Sequence, residues 1–106
     1  MPKTEMYLIE LFLPLADNQG SPFSREQHKA VEHALTEKFG GVTAYPRAPA
    51  SGRWKASESD QHDDFIVYEV MAEELDVSWW QGYRKDLEEA FRQERLLIRS
   101  HSVRLL

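Results

Sequence analysis

The chain reads as an α+β fold in the order strand, helix, strand, strand, helix, strand, and three observations predict it. Met6–Leu13, Phe65–Met71 and Leu96–His101 alternate apolar residues with more mixed ones at the period of a pleated strand. Two stretches, starting near Gln27 and Trp79, instead repeat apolar residues at helical spacing. Clusters of Gly, Pro, Asn, Asp and Ser separate these segments.

In the first strand, Tyr7, Ile9, Leu11 and Leu13 fall on one side and Met6, Leu8, Glu10 and Phe12 on the other. Pro14–Pro22 follows as a loop, being rich in turn formers. Ser24-Arg25-Glu26-Gln27 matches a capping box, in which the Ser hydroxyl accepts from the third helical amide and Gln27 reaches back. Gln27, Val31, Ala34, Leu35 and Phe39 then form one apolar stripe, and Gly40-Gly41 stops the helix. Val42–Arg47 is a short strand that Pro46 restricts to a sheet edge or a strand end. Residues 48–64 form a long loop around Trp54, of the kind often used for binding.

The third strand splits into Ile66, Tyr68 and Val70 against Phe65, Val67, Glu69 and Met71. Asp76 or Ser78 caps a second helix, from about Trp79 to Gln93, with Trp80, Tyr83, Leu87, Ala90 and Phe91 inward. Glu88 lies four residues before Arg92, the favourable order for a helix ion pair. In the last strand Leu96, Ile98 and Ser100 oppose Leu97, Arg99 and His101, and Ser102–Leu106 can extend it or pair with another chain.

Two right-handed crossovers in this order are satisfied by the split βαββαβ, ferredoxin-like fold. The strands then run 4-1-3-2, with both helices on one face of an antiparallel sheet. The set Tyr7/Ile9/Leu11, Val42/Ala44, Ile66/Tyr68/Val70 and Leu96/Ile98 faces the helices. The uncovered face carries Glu10, Thr43, Tyr45, Arg47, Glu69, Arg99 and His101, with Arg99, Glu10 and Glu69 expected in one row across adjacent strands.

All 106 residues fit one domain, which at this length buries about two thirds of its unfolded surface. With no cysteine, disulfides, thiolate zinc sites and cysteine nucleophiles are excluded. The N-terminal residues lack a signal-peptide pattern and no apolar run is long enough to cross a bilayer, so the expected setting is cytoplasmic. A net charge of −5 argues against a nucleic-acid partner, as does the missing basic-aromatic RNA-binding signature. Charge is uneven: residues 56–76 hold eight acids and no Lys or Arg, whereas residues 95–106 hold Arg95, Arg99 and Arg104 and no acid. These are either two solvated surfaces or complementary patches that help two copies associate.

Met6, Leu8, Phe12, Phe65, Val67, Met71 and Leu97 would also lie on the uncovered face, an apolar patch that calls for a partner. Two such sheets packed face to face make an eight-stranded barrel. Here the chain resembles the dimeric α/β-barrel proteins, a broad group that includes small oxygenases and isomerases. Phe39-Gly40-Gly41-Val42-Thr43, Gly52-x-Trp54, and Phe91-x-Gln93-Glu94 leading into Leu97-Ile98-Arg99 are similar to a small bacterial family of unknown function. The resemblance implies the fold and a homodimer, and names no chemistry.

In such a dimer Glu10 and Glu69 would be partly buried side by side, and two carboxylates in a dry site resist ionising together. With His101 as a further acid/base, they suit isomerisation or proton abstraction beside a carbonyl. Arg99 would clamp an anion, Tyr45 and Arg47 would orient a small acidic or carbonyl metabolite, and Trp54 would cover it. The alternative is a structural protein in which the same groups are an ion-pair network within an oligomer interface. No cofactor motif is present: Gly40-Gly41 lacks the context of a phosphate loop, and Trp79-Trp80 reads as packing. No metal-ligand spacing links the histidines, and His28 and His33 read as solvated helix residues.

Overall fold

A computed structural model of the chain describes residues 4–47 and 65–106; the expected loop over 48–64, with Trp54, lies outside them. The elements are β1 (Glu5–Pro14), α1 (Arg25–Phe39), β2 (Thr43–Arg47), β3 (Phe65–Ala72), α2 (Val77–Ala90) and β4 (Leu97–Arg104). They form a four-stranded antiparallel sheet in the order β2-β3-β1-β4, the expected 4-1-3-2 order read backwards. β4 does extend through the tail, to Arg104. Among the described residues no helix is long and apolar enough to cross a membrane.

The helix ends follow from local chemistry. At the start of α1 the Gln27 amide donates to Ser24 Oγ (3.1 Å) and the Ser24 amide donates to Gln27 Oε1 (3.4 Å), satisfying two amides reciprocally. Gly40 ends the helix at φ +86°, and its N–H donates to the Thr36 carbonyl at 2.8 Å. At α2, Asp76 Oδ1 accepts from the Trp79 amide at 3.1 Å, so Asp76 rather than Ser78 is the cap. This helix stops at Ala90, short of the expected Gln93, because Arg92 takes a left-handed φ of +50° and the Gln93 amide turns back to the Glu88 carbonyl.

That early stop corrects the expected Glu88–Arg92 pair. Arg92 lies beyond the helix and reaches Asp17 instead, at 3.3 Å. Glu88 accepts from the Leu96 amide at 3.0 Å and pairs with Arg84 at 3.4 Å, fastening the α2–β4 connection.

Both helices lie on one face of the sheet. Ile9, Leu11 and Leu13 of β1 and Tyr68 and Val70 of β3 form the sheet side of the core. Val31 and Leu35 of α1 cover them together with Trp80 and Leu87 of α2. Burying each such aliphatic side chain stabilises the fold by about 2 kcal/mol. Trp79 and Trp80 pack against Phe39 where α1 ends and α2 begins, with Phe39 stacked on Trp80 at 5.3 Å. The inward stripes are narrower than expected: Ala34, Ala90 and Ala44 are exposed. On the edge strand β2, only Val42 just before it packs against the core.

Candidate functional site

The uncovered face is organised in rows by the strand register. In the central row Glu10 of β1 pairs with Glu69 of β3 on one side and Arg99 of β4 on the other, while Thr43 of β2 pairs with Glu69. The next row holds Tyr45, Val67, Phe12 and Leu97, and the row on the other side holds Met71, Leu8 and His101. Strand pleating and the central place of β1 and β3 set the two glutamates in directly opposed positions, whose Cβ atoms are about 5 Å apart in such pairs.

Like charges directly opposed destabilise a sheet, and here each carboxyl has a separate partner. Arg99 Nε donates to Glu10 Oε1 at 2.7 Å, and the Tyr45 hydroxyl donates diagonally to Glu69 Oε2 at 2.8 Å. Glu10 is 8% exposed, the buried acid of the face. Arg99 keeps half of its side chain in solvent and lies over the Phe12 ring at 4.9 Å. The bond to Glu10 uses Nε, which leaves the two terminal nitrogens as the fork for a further anion.

Glu10, Glu69, Arg99 and Tyr45 are therefore brought together. His101 stands one row away, exposed on the edge strand opposite Leu8. Arg47 closes β2, paired through its backbone with Phe65. Trp54 lies outside the described residues.

The apolar surroundings differ from expectation. Phe12 and Val67 are buried although no helix covers them, Met6, Leu8 and Phe65 are half-buried, and only Leu97 and Met71 are well exposed. Phe65 meets Phe12 edge-on at 6.2 Å and the Arg99 guanidinium covers its ring, so the face partly shields itself. The open apolar surface is smaller than the alternation pattern implied.

A second polar pair lies on the helix side, and it corrects the reading of His28 as solvated. His28 Nδ1 lies 2.9 Å from the hydroxyl of Tyr68, which is 1% exposed, and the His28 ring packs edge-on against Phe91 at 5.3 Å. Its Nε2 is buried without a hydrogen bond. Burial pushes the imidazole below its usual pKa of 6.5, with the Pro14 carbonyl and Glu32 opposing. Burial likewise pushes the Tyr68 phenol up to about 12, with Glu32 and Tyr83 adding to the shift. The clue was in the spacing: His28, Val31 and Leu35 stand at i, i+3 and i+7, on the inward stripe. His33, by contrast, is exposed beside Glu37 at 4.0 Å. Among the described residues no three His, Asp or Glu side chains are grouped to hold a metal ion.

No family model and no curated protein matches this chain. In structure it is similar to a phage SAM lyase in complex with S-methyl-5'-thioadenosine, with a TM-score of 0.60 and 14% identity over 98% of this chain and 92% of the lyase. A phage SAM lyase in the apo state also matches, with a TM-score of 0.43 and 13% identity over 95% and 89% of the two chains. At this identity the first likeness is one of fold.

Proposed function

We propose that this protein binds a small carbonyl or acidic metabolite on the uncovered sheet face, closed over by a second copy of the chain. One observation carries the reading: two carboxyl groups oppose each other across the central strands with one guanidinium beside them. In this role the outward nitrogens of Arg99 hold a ligand carboxylate, and the Tyr45 hydroxyl turns its one proton from Glu69 to the ligand carbonyl, which frees Glu69 to act as a base. Glu69 removes a proton from the carbon beside that carbonyl and returns it to a neighbouring position, an isomerisation that conserves all atoms. Glu10 anchors Arg99, and His101 serves as a solvent-side proton carrier. The similarly folded lyase adds S-methyl-5'-thioadenosine to the candidates, since its ribose hydroxyls and adenine amine are donors that carboxylates accept.

A thermal-shift screen of 2-keto acids, hydroxy acids and S-methyl-5'-thioadenosine tests this, with light scattering run alongside. A ligand at ~100 times its Kd contributes about 2.7 kcal/mol to stability. Glu69→Gln and Arg99→Ala should abolish that shift while leaving the oligomer intact. A second reading, a purely structural oligomer, is favoured by both carboxyls already having partners without a ligand. It predicts no ligand shift and a weaker oligomer in both variants, and that result would overturn the binding proposal.

A further inference from the structure

On the helix side, a groove lies between α2 and β4. The inward positions from the start of β4 run Leu96, Ile98, Ser100 and Ser102, so side-chain size falls from branched aliphatic to a small hydroxyl along the strand. Opposite the first half of α2, β4 therefore presents small side chains. A cavity of about 220 Å³ remains between the two elements, with Ile9, Ile98 and Trp80 as apolar walls and Arg84 and Ser100 as polar ones. Val77, in the first turn of α2, stays 53% exposed at its rim. Arg84 borders this space, and its buried Nε makes an ion pair with Glu88 Oε2 rather than a well-aligned hydrogen bond. Its acidic neighbour Glu88, at 3.4 Å, is shared with the Leu96 amide.

We propose that this groove binds a small monocarboxylate with an apolar ring or branched body, the guanidinium of Arg84 taking the carboxylate. A dry cavity of about 150 Å³ already admits benzene, so this one has room for a ring and a carboxyl group. Ile9, Ile98 and Trp80 supply the apolar contact, and Ser100 offers a hydroxyl beside the guanidinium. With Nε turned to Glu88, the two terminal nitrogens remain for a ligand, and a planar guanidinium suits a carboxylate better than a neutral polar group. The groove opens on the helix side of the sheet, opposite Glu10 and Glu69, and shares Arg99 with the site proposed above.

The test is a titration of the 15N-labelled protein with sodium benzoate, followed by amide chemical shifts, with benzyl alcohol as the neutral control. Shifts should cluster on Val77–Arg84 and Ile98–Ser100, and benzyl alcohol should bind about tenfold more weakly, or ~1.4 kcal/mol. Arg84→Gln should weaken benzoate by a similar factor. Ser100→Leu, which fills the groove, should abolish binding and raise the melting temperature. Equal binding of benzyl alcohol, benzoate binding retained in Ser100→Leu, or no clustered shifts up to the solubility limit of benzoate would each overturn the proposal.

Discussion

Replacing Arg99 with methionine keeps much of the stem that lies over Phe12 but removes the group that balances Glu10. The geometry sets the cost between two limits. An ion pair between fully exposed partners is worth ~0–1 kcal/mol, whereas a hydrogen bond to a charged, buried partner is worth ~1.5–3 kcal/mol. Glu10 is 8% exposed, its bond to Arg99 is 2.7 Å long, and the arginine is half in solvent. We therefore expect a loss of ~1.5 kcal/mol, with up to ~0.5 kcal/mol more from the lost cation–π contact. For a domain of this size that lowers the melting temperature by roughly 7–9 °C. The assay is a double-mutant cycle of Arg99→Met and Glu10→Gln by thermal melts at neutral pH. The coupling should be ~1 kcal/mol or more, because each change alone leaves one partner unbalanced. Glu10→Leu should restore part of the stability of Arg99→Met, since it removes the stranded carboxylate. A coupling near zero, or an Arg99→Met protein that melts with the wild type, would refute the reasoning.

The buried pair on the helix side predicts a pH dependence. The unfolded chain takes up a proton at His28 near pH 6.5, whereas burial makes the folded chain resist it, so stability falls as the pH drops below 6.5 and levels off once the folded ring is protonated. Melting curves between pH 5 and 8 should show a shallower slope in His28→Phe than in wild type, and parallel slopes would contradict the assignment. At the end of α1, Gly40→Ala forces a Cβ into φ +86° and should cost ~1 kcal/mol by urea denaturation; no steric neighbour adds to that.

Much of the fold was legible because its signals are local. Period-two alternation sorted the strand faces, and the Ser24–Gln27 box with Gly40 marked both ends of α1. The row of Arg99, Glu10 and Glu69 also followed, once the crossover rule had put the first strand between the third and fourth. Contacts that depend on how a side chain bends were hidden. Alternation gives Phe12 and Val67 an open face but cannot show Arg99 folding over the Phe12 ring. Helical spacing placed Glu88 and Arg92 on one face, yet the left-handed turn at Arg92 ends the helix before that pair can form. His28 shared the stripe of Val31 and Leu35, but its bond to Tyr68 spans 40 positions and only the tertiary structure makes it visible.

β1 lies between β3 and β4, and its link to β4 joins residues as distant as Glu10 and Arg99, 89 positions apart. During synthesis Glu10 leaves the ribosome long before its counter-ion exists, so β2 and β3, consecutive in the chain and paired antiparallel, can organise first while this flank waits. Closing so large a loop is a slow, entropically costly step. The charged centre of the sheet is thus a late product of folding, and its presence reports that the whole domain has assembled.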